Sequence, residues 1–353
     1  MGMPVGPAGD SAVGLHRVLE PAGVLPQQAT RLDARAAIWP SEVRIRLERL
    51  NLDAASFRQL HDQAEGDGGV VRERVVKLIA NQGKMHNPVT GSGGMLIGVV
   101  DEVGPDSPLG LVIGQRVATL VSLTLTPLEI TDGLARWSGL SEQVPAEGHA
   151  ILFARSIAAG IPEDLPVELA LACLDVCGAP ALVDRVVRSR VAAGSDDVSV
   201  AVIGAAGKSG SLALAAARAA GATRLVGIVP MQPEADDLLA SGLADEVALA
   251  DARDPIELSD AVGKPVDVTV VCVDVKGCEG GALLATAQGG TIIFFSMATS
   301  FTAAALGAEG LAADVTMLIG NGFVPGHADM ALNLLGSNAG VRTLFESRLA
   351  AHG

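Results

Sequence analysis

Basic residues are few in this chain, and their scarcity excludes one class of partner. The 353 residues include 25 Lys and Arg against 40 Asp and Glu, which gives a formal net charge of −15. A nucleic-acid-binding surface needs clustered Lys and Arg side chains to neutralise phosphates, and no basic run occurs. We therefore expect no nucleic-acid partner, and the acidity is typical of a protein that stays soluble.

Cysteine is equally scarce. The four cysteines, Cys173, Cys177, Cys272 and Cys278, stand in apolar surroundings and are too few for a disulfide scaffold, so we expect a reducing compartment. The N-terminal segment lacks the basic stretch and apolar stretch of a secretory signal. Both observations predict a cytoplasmic protein.

One long stretch, residues 280–308, lacks charged residues and exceeds the length of a membrane span. Glycines and polar residues interrupt it, and we interpret it as a helix (Ala282–Ala287), a turn, a buried strand (Thr291–Phe295) and a loop. A strand buried inside a parallel sheet is apolar without any lipid. We therefore expect no membrane association.

The stretch VAVIGAAGKSGS contains Gly-Lys-Ser, which also ends the phosphate-binding loop G-x-x-x-x-G-K-[ST]. That loop requires a glycine five residues before Gly207, and Val202 stands there. The nucleoside-triphosphate loop is therefore excluded.

The same glycines fit a dinucleotide-binding turn. Gly204, Gly207 and Gly210 follow the β-branched run Val198–Ile203 and lead into the helix-forming segment Ser211–Ala220. Small residues between a strand and a helix let a pyrophosphate approach the main chain at the helix N-terminus. We predict a dinucleotide site at this turn.

The two halves of the chain have different patterns. In the first half, EVRIRLERLNL alternates as a half-buried strand, 54–64 predicts a helix, and 70–80 fits either a helix or a strand. Strands at 95–103 and 115–122 complete a pattern typical of a small antiparallel barrel.

In the second half, a helical stretch at 161–191 precedes the glycine turn. Beyond it we predict strands at 224–229, 246–249, 267–273, 291–295 and 315–319, and helices at 234–241 and 280–287. This alternation requires a parallel sheet with helices on both faces.

An antiparallel domain followed by a strand, a G-x-x-G-x-x-G turn and a helix resembles the medium-chain dehydrogenase/reductase superfamily. The similarity runs from roughly Ser41 to Leu335 and includes PEDLPVELALACLDVCGAPALV and GNGFVPGHADMALNLL. More narrowly, EVRIRLERLNLDAASFRQL and HNPVTGSGGMLIGVVDEVG resemble the family of L-erythro-3,5-diaminohexanoate dehydrogenases, enzymes of lysine fermentation. The resemblance implies an α/β protein with two domains and a homodimeric assembly. The expected domains are a GroES-like antiparallel β-barrel at 1–165, completed by a C-terminal helix at 326–353, and a doubly wound Rossmann domain at 166–325.

Zinc-dependent members of the superfamily open one strand with G-H-E-x-x-G-x-V. In this sequence Gly94 and Met95 stand where that motif has its His and Glu. The segment NLDAASF lacks the first-ligand cysteine, the four cysteines of the structural zinc lobe are missing, and only Cys177 falls at a cysteine position. Because one thiolate does not hold a catalytic zinc ion, the comparison implies an enzyme without zinc.

Without a metal, oxidation of an amine depends on acid–base side chains. The segment NQGKMHNPVTGSGG faces the cleft in the family fold and contains Lys84, His86, Asn87, Thr90 and Ser92. Lys84 could bind the substrate carboxylate or act as the base, and His86 could carry a proton near neutral pH. Ordinary roles in a solvated loop stay open for each.

A diamino acid also brings a second ammonium group, which needs a carboxylate partner. Asp175 is one candidate because an acid is unusual in an apolar stretch such as LALACLDVC. Glu102, in the barrel strand, is the other candidate, although a surface role is the more common one for such a residue.

The sequence gives only partial information on the preference between NAD and NADP. An acid at the end of the second strand usually selects NAD, but Pro230-Met231-Gln232 follows that strand, and Lys208 or Arg253 could reach a 2′-phosphate. We expect NAD or NADP, with NAD favoured by the resemblance. The predicted cofactor-binding residues are Gly204, Ala206, Gly207, Lys208, Ser209, Gly210, Pro230, Val273, Ser296 and Met297.

The leading interpretation, implied by the resemblance, is the NAD(P)-dependent oxidative deamination of L-erythro-3,5-diaminohexanoate to 5-amino-3-oxohexanoate and ammonia. Two alternatives stay open, namely a zinc-free NADPH-dependent quinone or enoyl reductase and a non-catalytic dinucleotide-binding protein.

Overall fold

The computed structural model describes residues 9–120, 122–296, 298–320 and 322–352, without the side chains of Ala54, Ala351 and His352. The chain divides into two compact units, Met1–Glu163 and Asp164–Gly353. Each unit has its own sheet and its own apolar core.

The first unit is mainly antiparallel β-structure. Its elements are a 3₁₀ helix (Leu15–Arg17), β1 (Val18–Glu20), β2 (Arg31–Leu32), β3 (Val43–Asn51), α1 (Ala54–Gln63), α2 (Gly68–Gln82), β4 (Met95–Val103), β5 (Arg116–Thr119), β6 (Leu128–Ile130), β7 (Gln143–Pro145), β8 (Gly148–Leu152) and β9 (Ala158–Gly160). Strands β6-β8-β3-β4-β5-β9 form one sheet in that order, β7 also pairs with β3, and β1 pairs with β2. Val43, Ile45 and Leu47 of β3 are buried, as the alternation in the sequence predicts.

The segment that fitted either a helix or a strand is helix α2. Asp67 caps its N-terminus by accepting from the N–H groups of Gly69 and Val70, and Gly83, at φ 64°, ends it. Val71, Val75 and Ile79 recur every four residues and are all buried. The apolar period of α2 is therefore that of a helix face.

The second unit alternates strands and helices. Its elements are α3 (Val167–Leu174), α4 (Gly178–Ala192), β10 (Ser199–Ile203), α5 (Lys208–Ala219), β11 (Arg224–Val229), α6 (Gln232–Ser241), β12 (Glu246–Leu249), α7 (Pro255–Val262), β13 (Val266–Val271), α8 (Glu279–Ala285), β14 (Thr286–Phe294), α9 (Phe301–Gly310), β15 (Val315–Ile319), α10 (His327–Ser337) and α11 (Ala339–His352). The parallel sheet has the order β12-β11-β10-β13-β14-β15. This is the Rossmann strand order, so the predicted fold class is confirmed.

Three local predictions were wrong. The helical stretch at 161–191 is two helices, α3 and α4, because the chain leaves the helix after Leu174. The helix expected to reach Ala287 ends at Ala285, where Thr286 already has extended dihedral angles and begins β14. The expected loop before residue 308 contains α9, whose first turn is capped by Ser300 Oγ.

The two C-terminal helices pack inside the second unit. Helix α10 contacts α3, α4 and α5, and helix α11 contacts α3, α5 and α6. These contacts do not test whether the segment also completes the first domain, which stays a prediction. Across the described residues, no helix combines the length and apolarity needed to cross a membrane.

Candidate functional site

The glycine turn joins β10 to α5 at the carboxyl edge of the parallel sheet. The N–H groups of Gly204 and Ala205 both donate to the carbonyl oxygen of Ile228 in β11, at 2.9 and 3.1 Å, and fix the turn to the sheet. Gly207 is the N-cap of α5, and no side chain caps that helix. The first N–H groups of α5 have no partner within the helix, so a phosphate here would meet them and the positive end of the helix dipole.

The three glycines of the turn are constrained to different degrees. Gly204 has φ 80°, and a Cβ atom on it would lie 2.6 Å from Val273 Cγ1. A Cβ atom on Gly210 would lie 2.2 Å from the carbonyl oxygen of Gly204, whereas one on Gly207 would meet that same oxygen at 3.1 Å. Of the three positions, Gly207 is therefore the least hindered, although 3.1 Å is still a tight contact for a Cβ atom. The absence of a side chain there fits the approach of a pyrophosphate.

Charged side chains flank this turn. Lys208 Nζ lies 3.0 Å from Asp175 Oδ2, and both side chains are partly exposed. Asp175 is the C-cap of α3, so it stands at the break between two helices and not inside an apolar helix as the sequence suggested. The structure thus brings a predicted catalytic residue to a predicted cofactor residue. Arg348 of α11 adds a second cation, because its Nε donates to the carbonyl oxygen of Ala206 at 3.1 Å.

A pocket of about 380 Å³ opens beside the turn. The predicted residues Gly204, Pro230 and Val273 line it, together with Asp251 and Arg253. All five follow or end parallel strands, which is where a doubly wound sheet binds its ligand. The pocket is large enough for the adenosine part of a dinucleotide, since small-molecule pockets begin at roughly 300 Å³.

The remaining predicted cofactor residues follow β14 or lie in the turn. Ser296 is buried, and its Oγ accepts from the N–H group of Ala298 at 3.0 Å. Ser209 is half-buried in the first turn of α5. Met297 lies outside the described residues.

Lys84, in the first unit, is placed differently from the expectation. It was predicted to face the substrate, but its side chain is fully buried, and Nζ donates to the carbonyl oxygens of Pro26 and Gln27 at 2.8 and 3.1 Å. Burial lowers the pKa of Lys84 from 10.5 to about 8. Two of its three donors are thus used by the main chain, and its role at a substrate stays a prediction.

His86 is half-buried in the same loop. Burial lowers the pKa of this imidazole, and the neighbouring charge of Lys84 lowers it further. Both effects favour the neutral ring, which is the form that can accept a proton near pH 7.

A cluster of hydroxyl groups ties the loop to α1. Ser56 is fully buried, and its Oγ lies 2.6 Å from Thr90 Oγ1 and 2.7 Å from Ser92 Oγ. The side-chain amide of Asn87 donates to Gln59 Oε1 at 2.8 Å. Asn87, Thr90 and Ser92 are therefore held by α1 and are not freely solvated.

Glu102 is not part of this group. It pairs with Arg44 on the surface, with 2.6 Å between Arg44 Nη1 and Glu102 Oε2. Along β4 it lies seven residues beyond Met95, where the loop enters the strand, which is about 23 Å at 3.3 Å per residue. The role predicted for Glu102, as a carboxylate partner of the second ammonium group, stays a prediction.

The comparison with known proteins adds the family. A model of the L-erythro-3,5-diaminohexanoate dehydrogenase N-terminal domain matches residues 16–162. L-erythro-3,5-diaminohexanoate dehydrogenase from Acetoanaerobium sticklandii is 42% identical over 342 residues, which covers 94% of this chain and 97% of the relative. The enzyme of the same name from Fusobacterium nucleatum subsp. nucleatum is 42% identical over 343 residues, covering 94% and 96%. The chain belongs to the L-erythro-3,5-diaminohexanoate dehydrogenase family.

One solved structure, of mycobacterial Rv1454c complexed with NADPH, shares the fold of this diaminohexanoate dehydrogenase family member. The TM-score is 0.54 at 16% sequence identity, and the alignment covers 89% of this chain and 91% of that one. Together with the dehydrogenase relatives, the glycine turn identifies a nicotinamide dinucleotide as the cofactor class.

The residues at the place of the zinc motif do not fit a zinc ion in this family member. Gly94 has φ 104°, and a Cβ atom on it would lie 2.0 Å from the carbonyl oxygen of Asn51 and 2.9 Å from the nitrogen of Asp53. Met95 is buried, and burial raises the pKa of the Cys177 thiol to about 12. In the described part of the chain, no three His, Cys, Asp or Glu side chains cluster as metal ligands would.

Three residues at the turn, the loop and the pocket were not predicted from the sequence. Arg348 reaches the turn from 142 positions away, and Ser56 reaches the loop from α1. Asp251, which follows the predicted strand at 246–249, offered the clearest signal, since an acid after a parallel strand is typical of a ribose contact.

Proposed function

We propose that this protein catalyses the NAD(P)-dependent oxidative deamination of L-erythro-3,5-diaminohexanoate to 5-amino-3-oxohexanoate and ammonia. The observation that carries the proposal is 42% identity, over 97% of its length, with a dehydrogenase of that name. The glycine turn and the adjoining pocket support it because the reaction needs a hydride acceptor at such a site.

The reaction removes two electrons and one amino group from C3. The C3–H bond breaks with its electron pair, the C3–N bond becomes an imine, and water replaces the nitrogen to give the ketone and ammonia. The bound dinucleotide supplies the hydride acceptor. The protein has to position C3, accept the proton of the C3 ammonium group before the C–H bond breaks, and deliver water afterwards.

His86 is the proton acceptor that we propose. The ammonium group must become a free amine before it can lose hydride, and the lowered pKa of His86 keeps Nδ1 or Nε2 available as an acceptor. The hydroxyl groups of Thr90 and Ser92 are half-buried in the same loop and would orient the amine and the water.

Asp175 is the carboxylate that we propose for the second ammonium group. Its pair with Lys208 spans 3.0 Å and is partly exposed, so the two charges can separate at little cost. A pyrophosphate at the N-terminus of α5 would attract Lys208 and leave Asp175 available to a cation. We also propose that no zinc ion takes part, supported by the close packing at Gly94.

The test is an assay with purified protein, L-erythro-3,5-diaminohexanoate and either NAD or NADP. We expect formation of the reduced nicotinamide and of ammonia in equal amounts, with activity unaffected by a chelator. Nucleotide binding without turnover of this substrate would contradict the proposed function. Activity that is lost on chelation and restored by zinc would contradict the zinc-free chemistry alone.

A further inference from the structure

The strand that usually carries the ribose-binding acid lacks one in this protein. Strand β11 ends at Val229, and Pro230, Met231 and Gln232 follow it. An acid at this point normally accepts hydrogen bonds from the ribose hydroxyls and repels a 2′-phosphate. Gln232 can accept a hydrogen bond through its amide oxygen, but none of these three residues carries the negative charge that repels a 2′-phosphate.

The neighbouring strand supplies an acid at the same level of the sheet. Val229 is the register partner of Leu249 in β12, and the N–H group of Ala250 donates to the carbonyl oxygen of Val229 at 3.1 Å. Asp251 is the next residue. It lies two residues beyond the last register pair of β11 and β12, and it lines the same pocket as Pro230.

Arg253 holds the carboxylate of Asp251 in one orientation. Arg253 Nε lies 2.9 Å from Oδ1, Nη2 lies 2.6 Å from Oδ2, and the N–H group of Arg253 also donates to Oδ1 at 2.9 Å. Arg253 Nε also lies 3.1 Å from Oδ2. Because three N–H groups donate to a carboxylate with about four lone-pair positions, acceptor capacity remains for about one hydroxyl group. The Asp251 side chain is 44% exposed, which leaves it accessible from the pocket.

We propose that Asp251 binds the adenosine ribose of the cofactor and makes this protein select NAD over NADP, with Arg253 orienting the carboxylate. Ile203, Val273 and Val275 line the same pocket and give the adenine ring an apolar wall. The inference rests on the proposed function, since it concerns the cofactor of that reaction. A 2′-phosphate would meet the charge of Asp251, while a 2′-hydroxyl would donate to it.

The test compares the binding of NADH and NADPH, followed by cofactor fluorescence, in wild type, Asp251→Ser and Arg253→Ala. In Asp251→Ser we expect NADH affinity to fall at least tenfold, because a charge-assisted contact is lost. NADPH affinity should rise, because Arg253 is released to bind the phosphate. The double variant Asp251→Ser/Arg253→Ala should lose this gain.

Glu246→Ser is the matched control. Glu246 begins the same strand β12, pairs with Arg224 and lies at the opposite end of the sheet from the pocket. Its removal should leave both affinities unchanged. Melting temperatures measured without cofactor show whether Asp251→Ser or Glu246→Ser has lost folding stability.

An unchanged ratio of NADH to NADPH affinity in Asp251→Ser would overturn the inference and show that Asp251 only shapes its turn. Normal binding with the expected change in ratio, but no turnover of the diamino acid, would contradict the proposed function and leave the inference intact. Failure of both nucleotides to bind the wild-type protein would overturn both.

Discussion

Gly204, Gly207 and Gly210 recur at equal spacing, yet each is a glycine for a different reason. Gly204 is required by its positive φ, and Gly210 is required by the carbonyl oxygen of Gly204, which would lie 2.2 Å from a Cβ atom. Gly207 has ordinary dihedral angles, φ −72° and ψ 169°. The backbone geometry therefore explains Gly204 and Gly210, and we propose that the approach of the ligand explains Gly207.

We therefore expect Gly207→Val to fold and to lose the cofactor. Because a Cβ atom here would lie 3.1 Å from the carbonyl oxygen of Gly204, stability should fall by about 1–2 kcal/mol, while dinucleotide affinity should fall more than about a hundredfold, or about 2.8 kcal/mol. Thermal unfolding and NADH titration measure the two effects. Gly210→Ala is the comparison and should lose both stability and binding. Wild-type affinity in Gly207→Val would mean that the pyrophosphate does not approach this residue.

Lys84 gives a prediction about pH. Its pKa is lowered from 10.5 to about 8 by burial, so the unfolded chain binds more protons than the folded protein between these two pH values. The contribution of Lys84 to stability must therefore rise as pH increases from about 8 to 10.5, by up to about 3 kcal/mol. Below pH 8 both states are protonated, and the contribution is constant.

The measurement is the free energy of unfolding of wild type minus that of Lys84→Met, followed by urea between pH 7 and 10.5. The difference is needed because burial raises the pKa of Cys173, Cys177 and Cys272 to about 12. Those thiols make stability fall with alkaline pH in both proteins, and their contribution cancels. A difference that does not change with pH would contradict the lowered pKa of Lys84.

At the scale of single elements, the hydroxyl cluster shows how α1 holds the polar loop. Ser56→Ala removes the hydroxyl that lies between Thr90 and Ser92. Because Ser56 is fully buried, we expect a loss of about 1–3 kcal/mol in unfolding free energy, measured in urea. Ser337→Ala, an exposed hydroxyl that donates to Asn333 of its own helix, should change stability by less than about 0.5 kcal/mol. Equal effects in the two variants would show that the cluster does not stabilise the loop.

The elements that the sequence predicted well are those with local signals. The strands at 95–103, 224–229 and 315–319 are present with those bounds, since β-branched runs between turns define them without distant contacts. Residues 70–80 could not be assigned from periodicity, and α2 is settled by Asp67 and Gly83 beyond that segment. A loop was expected where α9 lies. The only local signal for this helix is its N-cap Ser300, because the Ala-rich stretch that follows has no clear apolar period.

The same difference between local signals and distant contacts explains which site residues could be predicted. The glycine turn is contiguous in sequence, so its residues could be named in advance. Asp251 reaches the pocket through the register of β11 with β12, and Arg348 reaches the turn through the packing of α11. The burial of Lys84 could not be predicted, because nothing local shows that the carbonyl oxygens of Pro26 and Gln27 accept from its Nζ. Contacts of this kind depend on the tertiary fold and leave no pattern in a single sequence.

At the scale of the whole molecule, one edge of the parallel sheet is left open in the described chain. β15 is the last strand in the order and pairs there only with β14. Its residues are half-buried or exposed, and Ile319 is 59% exposed. An unprotected apolar edge strand is a surface that can pair with another copy of itself, which is in keeping with the homodimer expected from the resemblance.

We accordingly expect the protein to be a dimer at micromolar concentration through β15, and Ile319→Lys to dissociate it. In a two-fold interface both copies contribute the substituted residue, so two added charges must lose water when the edges pair. Light scattering combined with gel filtration gives the mass. Leu239→Lys is the control, because Leu239 is as exposed, at 61%, but lies on helix α6 away from β15, and it should remain a dimer. A wild-type monomer, or an Ile319→Lys variant with the mass of a dimer, would show that β15 does not form the interface.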